Sequence, residues 1–139
     1  VAKQLREFKS GKRKSEAMKP QAAELTADEM KALGVFFEHK KASALEFKDQ
    51  ELLGVGKFIF HRCNQYSGVP AWAGCHGERR LATSQLPRLA SQHPAYIENQ
   101  IKQFNKRERT NDNMVMHTVA SKLTTLEIKA VAAYISTLE

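Results

Sequence analysis

Val69-Pro70-Ala71-Trp72-Ala73-Gly74-Cys75-His76-Gly77 is the stretch from which the rest of the chain can be read. A c-type haem is attached where Cys-x-x-Cys-His opens a helix: two thiolates bond to the porphyrin and the adjacent His ligates the iron. Here the second Cys and the His stand in register as Cys75 and His76, while Trp72 occupies the position of the first Cys. A thiol beside a surface imidazole has the same spelling, so this spacing alone leaves the chemistry open.

The residues downstream narrow it. Leu86-Pro87-Arg88-Leu89-Ala90-Ser91-Gln92, Tyr96-Ile97, Gln100-Ile101-x-x-Phe104, Arg109-Thr110-Asn111-Asp112 and Met114-Val115-Met116 follow in order, and a final helical segment closes the chain. Together with the Cys-His pair they closely resemble the C-terminal domain of the dihaem cytochromes c4, from about Gly54 to Glu139. Trp72 departs from the family at a residue that makes a covalent bond.

The resemblance implies an all-α fold: a cytochrome c-like helical domain enclosing a haem. It implies an electron carrier rather than an enzyme, in the bacterial periplasm, either free or membrane-associated. It further implies haem c held through Cys75, with His76 as proximal iron ligand. His/Met ligation raises the reduction potential of cytochromes, and the distal thioether would come from Met116 or, on an alternative register, Met114. The Pro87 carbonyl would orient the His76 ring, as groups behind a metal ligand do elsewhere. Arg88 would pair with a haem carboxylate or remain a solvated cation. Tyr96 would wall the crevice with Leu86, Leu89, Ile97, Ile101 and Phe104, although the same residues would form an apolar core in any helical domain.

Trp72 admits three readings. Haem could attach by a single thioether at Cys75, with the indole covering the edge left unbonded. Cys63 could substitute as bond partner or form a disulfide with Cys75, although its ordinary role is a buried small residue. Finally, Trp72 could be a substitution or sequence error, since Cys and Trp codons differ by one base. Single attachment fits the chain as written.

Composition sets outer bounds. In 139 residues, 22 Lys and Arg oppose 15 Asp and Glu, giving a formal charge of +7. Such a surface suits acidic protein partners, anionic membranes or nucleic acid. No basic run with interleaved aromatics of the kind that binds single strands is present, so nucleic acid is not expected. The expected partners are redox proteins with acidic docking surfaces; a membrane oxidase of a respiratory chain is one candidate that the sequence does not decide. No apolar stretch approaches the ~20 residues of a membrane span.

Residues 1–41 carry an internal repeat of the C-terminal segment. Gln4, Phe8 and Arg13 stand 96 positions before Gln100, Phe104 and Arg109; Met18, Ala22, Leu25, Met30 and Phe36 stand 98 before Met116, Ala120, Leu123, Ile128 and Tyr134. They read as the second half of a first cytochrome domain, with Met18 as the distal ligand of its haem if the missing half is supplied, by upstream sequence or another chain. Thr26 and Glu29 form a capping-box pattern ahead of Met30, Leu33, Phe36 and Phe37, and Ser10 to Leu25 reads as an exposed loop. Residues 42–53 read as a linker, and 54–139 as the complete domain. Its first helix runs from Gly54 to Cys63 with Phe58 and Ile59 or Phe60 inward. The resemblance implies that this helix crosses the last one, Thr125 to Leu138, with Gly56 against Ala130, Ala133 or Tyr134.

Two other classes stay open. A haem protein whose Met116 fails to bind iron would take small ligands or act on peroxide. A haem-free interaction module would follow from the loss of normal attachment at Trp72. A zinc site from His61, Cys63, Cys75 and His76 lacks the usual paired spacing.

Overall fold

The computed structural model describes residues 1–77 and 86–139. Its helices are α1 (Ala2–Lys9), α2 (Met18–Ala23), α3 (Ala27–Glu38), α4 (Gln50–His61), α5 (Trp72–His76), α6 (Pro94–Asn105), α7 (Val115–Ala120) and α8 (Thr125–Thr137). Among the described residues there is no strand, only an isolated antiparallel bridge between Asn64 and Val69 that closes the loop leading into α5. The architecture is all-α, as the sequence implies.

Local chemistry accounts for where the helices begin. The Thr26 and Thr124 hydroxyls each accept from the backbone N–H three residues on, and Glu29 and Glu127 return the bond, giving two complete capping boxes. Asp49 caps α4 through the Leu52 N–H at 2.9 Å, so this helix starts at Gln50, ahead of the Gly54 start expected. The side chain at position 49 supplies the first-turn acceptor, and Gly54 lies within the helix.

The main core is shared by α4, α5, α6 and α8, with Ile59, Phe60, Ile97, Ile101, Val131 and Ile135 at its centre. Helices α4 and α8 cross where Gly56 meets Ala130. A Cβ on Gly56 would collide with the Ala130 carbonyl oxygen and lie 2.7 Å from Tyr134 Cβ. Phe58 does not point inward as expected: it is exposed, and the buried pair is Ile59 and Phe60. At 100° per residue, the face that carries Gly56 also carries Ile59 and Phe60, leaving Phe58 on the outside.

A second core joins Leu5, Phe8, Ala22 and Met30 across α1, α2 and α3. The segment Ser10 to Leu25 is not the exposed loop expected of it. It forms α2, seals Ala22 completely and buries Arg13. The Lys, Arg and Ser residues ahead of it hid a helix whose apolar side is only Met18 and Ala22, with Leu25 packing just beyond its end.

The repeat shows where the two halves differ. On α8, Ala130, Val131 and Ile135 are fully buried and Ala133 nearly so. Their counterparts 98 residues earlier on α3 are Ala32, Leu33, Phe37 and Val35; Val35 and Phe37 are each 51 % exposed, and Phe36 is 54 % exposed. Helix α4 covers this face of α8, and no described helix does so for α3.

Candidate haem site

His76 ends α5 and is buried, with 8 % of its surface exposed. Its Nδ1 lies 3.2 Å from the Pro87 carbonyl oxygen. A carbonyl only accepts, so Nδ1 carries the proton and donates, which leaves Nε2 as the ring's free lone pair. No described residue bonds Nε2. Burial lowers the imidazole pKa, and the Pro87 carbonyl only partly opposes this. His76 is therefore neutral at pH 7, the form that ligates a metal.

Cys75 precedes it with an exposed, free thiol. Cys63 is also free and exposed, so it is neither a buried small residue nor a disulfide partner of Cys75. It follows α4, outside the apolar stripe that ends at Phe60, which explains its exposure. Among the described residues no three His, Cys, Asp or Glu side chains are grouped to hold a metal ion, which removes the zinc arrangement.

Trp72 opens α5 and is sealed in the main core at 4 % exposure. Its ring centroid is 6.0 Å from that of His76, with the planes inclined by 33°. The indole Nε1–H is buried without a hydrogen-bond partner. A cleft of about 120 Å³ opens beside the imidazole, lined by Phe60, His76, Gly77, Leu89, Ala90 and Leu138.

Met116 lies on α7 and packs against this core, whereas Met114 is 50 % exposed and caps α7 with a positive φ of 70°. Met18 packs on the second core, away from His76. Of the expected crevice wall, Ile97, Ile101 and Phe104 are buried and Leu89 packs against them, while Leu86 and Arg88 are exposed. Tyr96 is 42 % exposed, and its hydroxyl accepts from Arg13 Nη2 at 2.7 Å. The polar cluster around that bond is absent from the sequence reading, although the Arg13–Arg109 repeat signalled it.

No protein-family model matches the chain. Cytochrome c4 of Pseudomonas aeruginosa is 31 % identical over 139 residues, spanning 97 % of this chain and 69 % of that protein. Cytochrome c4 of Thiocapsa roseopersicina is 36 % identical over 141 residues, spanning 97 % of this chain and 71 % of its own length. The chain belongs to the cytochrome c4 family. The structure of reduced recombinant cytochrome c4 from Pseudomonas stutzeri superposes with a TM-score of 0.91 at 30 % identity, covering all of this chain and 80 % of that one. A protein described as a thiosulfate dehydrogenase electron acceptor, from Thiomonas intermedia, is 31 % identical over 140 residues, covering 98 % of this chain and 64 % of that protein.

As a cytochrome c4 homologue the chain is a haem-dependent electron carrier and not an enzyme. The groups present suit a c-type haem: an oriented neutral imidazole and a core-packed thioether for the iron, and a free thiol adjacent to the imidazole for the porphyrin. Trp72 is the exception, since it puts an indole where a second thiol would bond.

Proposed function

We propose that this chain carries one electron at a time on a haem c ligated by His76 and Met116 and bonded covalently through Cys75 alone. The observation that carries this reading is the 3.2 Å contact between His76 Nδ1 and the Pro87 carbonyl, which leaves Nε2 free one residue after a free thiol. Bound haem would supply an iron that alternates between ferrous and ferric states. The protein's part is to fix the imidazole, keep it neutral, exclude water with the core around Ile97 and Ile101, and present Met116 from α7. Met116 is preferred to Met114 because it packs on that core while Met114 faces solvent.

The buried, unbonded Trp72 indole supports single attachment, because it fills the side of α5 from which a second thioether would come. Arg88, exposed and cationic, is available to a haem carboxylate or a partner.

The likeness to an electron acceptor of thiosulfate dehydrogenase supports exchange with redox enzymes of that kind in the periplasm. A respiratory oxidase at the membrane is the acceptor the family resemblance favours, and the +7 charge favours partners with acidic surfaces. No described helix is long and apolar enough to cross a membrane.

Residues 1–41 form the second half of another cytochrome domain, joined through 42–53 to the domain at 54–139. A helix equivalent to α4, from the same polypeptide or another, covers Val35, Phe36 and Phe37 on α3, and Met18 serves that half. Carbon monoxide tests the ligation: the reduced protein should resist it if Met116 holds the sixth position, and ready binding would indicate an open ligand-binding site.

A further inference from the structure

Met116 sits on α7, a helix of six residues whose placement is imposed from outside it. A segment that short does not hold itself together in water. The chain enters it through two consecutive left-handed residues, Asn113 with φ 48° and Met114 with φ 70°, and Met114 makes no side-chain cap. Residues other than glycine seldom adopt that region, so neighbouring contacts must hold them there.

Two side chains supply those contacts. The Asp112 side chain is 1 % exposed, and its carboxylate accepts from the His117 backbone N–H at 2.8 Å and from Arg107 Nη1 at 3.3 Å. The His117 N–H is one of the first-turn donors that a helix leaves unpaired. The His117 ring reaches the other way: its Nδ1 lies 3.0 Å from the Phe104 carbonyl oxygen in the last turn of α6. A carbonyl only accepts, so Nδ1 donates. Carbonyls of a last turn lack helical partners, and this one also takes the Arg107 N–H at 3.2 Å.

We propose that His117 and Asp112 are positioning residues for the distal ligand: together they set the rotation of α7 and so aim the Met116 thioether. Met116 and His117 are successive residues, with side chains about 100° apart around the helix. Met116 packs on the main core, while the His117 ring is tied to the end of α6. A turn of α7 that carried Met116 off the core would break the His117 ring bond, and Asp112 holds the same residue by its backbone. Helix α6 is the reference, because Ile101 and Phe104 on it belong to that core. This inference rests on Met116 being the iron ligand, as proposed above.

The test compares the holoprotein with His117→Leu, His117→Gln and Asp112→Ala. His117→Leu keeps the bulk and removes the donor, and His117→Gln returns a donor. Losing one such hydrogen bond should raise the share of iron without its methionine roughly two- to tenfold. His117→Leu and Asp112→Ala should therefore weaken the far-red band of the ferric protein and lower the reduction potential. His117→Leu should also speed carbon monoxide binding to the reduced protein by that factor, and His117→Gln should recover band and potential. Folded Leu and Ala variants with wild-type band and potential would overturn the proposal. A lowered melting temperature with band and potential unchanged shows a structural role alone and overturns it equally.

Should the variants not fold, the wild-type ferric protein decides. Coupling between two sites is reciprocal, so displacing Met116 from the iron with added imidazole should speed hydrogen exchange of the His117 backbone N–H by the same factor. Exchange that stays unchanged overturns the proposal. A far-red band that survives Met116→Leu overturns the ligand assignment made above. A band lost in Met116→Leu and intact in the His117 and Asp112 variants overturns the positioning role alone.

Discussion

The rings of Trp72 and His76 lie one helical turn apart in α5, centroids 6.0 Å from each other, with the indole sealed in the core and its N–H unpartnered. A side chain of that size at the first attachment position changes how a haem can be held. A buried donor left without an acceptor costs roughly 1–3 kcal/mol, so the packing around Trp72 outweighs that cost. Trp72→Cys should give a haem with two thioethers and a correspondingly shifted pyridine haemochrome band. A variant that matures with the wild-type spectrum would mean that position 72 does not face the porphyrin.

The thioether ligand can be tested by a pair of variants. Met116→Leu should abolish the weak far-red band of methionine-ligated ferric haem, lower the potential and admit carbon monoxide to the reduced protein. Met114→Leu, altering a half-exposed residue at the start of α7, should change none of the three. The reverse pattern would assign the ligand to Met114.

Gly56 is the fulcrum of the α4–α8 crossing. A methyl group there collides with the Ala130 backbone carbonyl, which cannot rotate away as a side chain would. Overpacking costs about 1–3 kcal/mol, and Gly56→Ala should fall at or above the upper end in denaturant unfolding. A loss below about 0.5 kcal/mol, the usual limit for surface changes, would show that the helices separate freely.

The cap of α3 gives a pH signature. The Thr26 backbone N–H, and then its hydroxyl, hold the Glu29 carboxylate below its ordinary pKa of 4.5. A depressed folded value means the contribution to stability is fully present above the unfolded pKa and is lost as pH falls through the folded one. Glu29→Gln should therefore lower the melting temperature at pH 6 and converge on wild type in acid. A difference that persists unchanged below pH 3 would contradict the assignment.

Legibility followed the type of signal. The capping box at Thr26 was readable because it depends on two residues at fixed spacing, whereas the Gly56 contact and the His76–Pro87 pair were legible only through the family resemblance; the matching box at Thr124 was not read. The Asp49 cap was missed because charged residues from Lys40 to Glu51 masked the helix start. The Arg13–Arg109 cluster was half visible: the repeat paired these residues, but basic neighbours made Arg13 look solvated. Exposure of Phe58 depended on which way α4 faced, which only packing against α8 decides, and exposure of Cys63 on α4 ending at His61. The exposed face of α3 was legible as an unsatisfied apolar stripe.

The measurement that bears most directly on this account is a pyridine haemochrome spectrum of the purified protein after acid-acetone extraction. Haem retained by the protein, with the band position of one remaining vinyl, is the predicted result and assigns a single thioether at Cys75. Haem that extracts completely into the solvent would contradict covalent attachment, and a spectrum with no vinyl left would contradict the role given to Trp72.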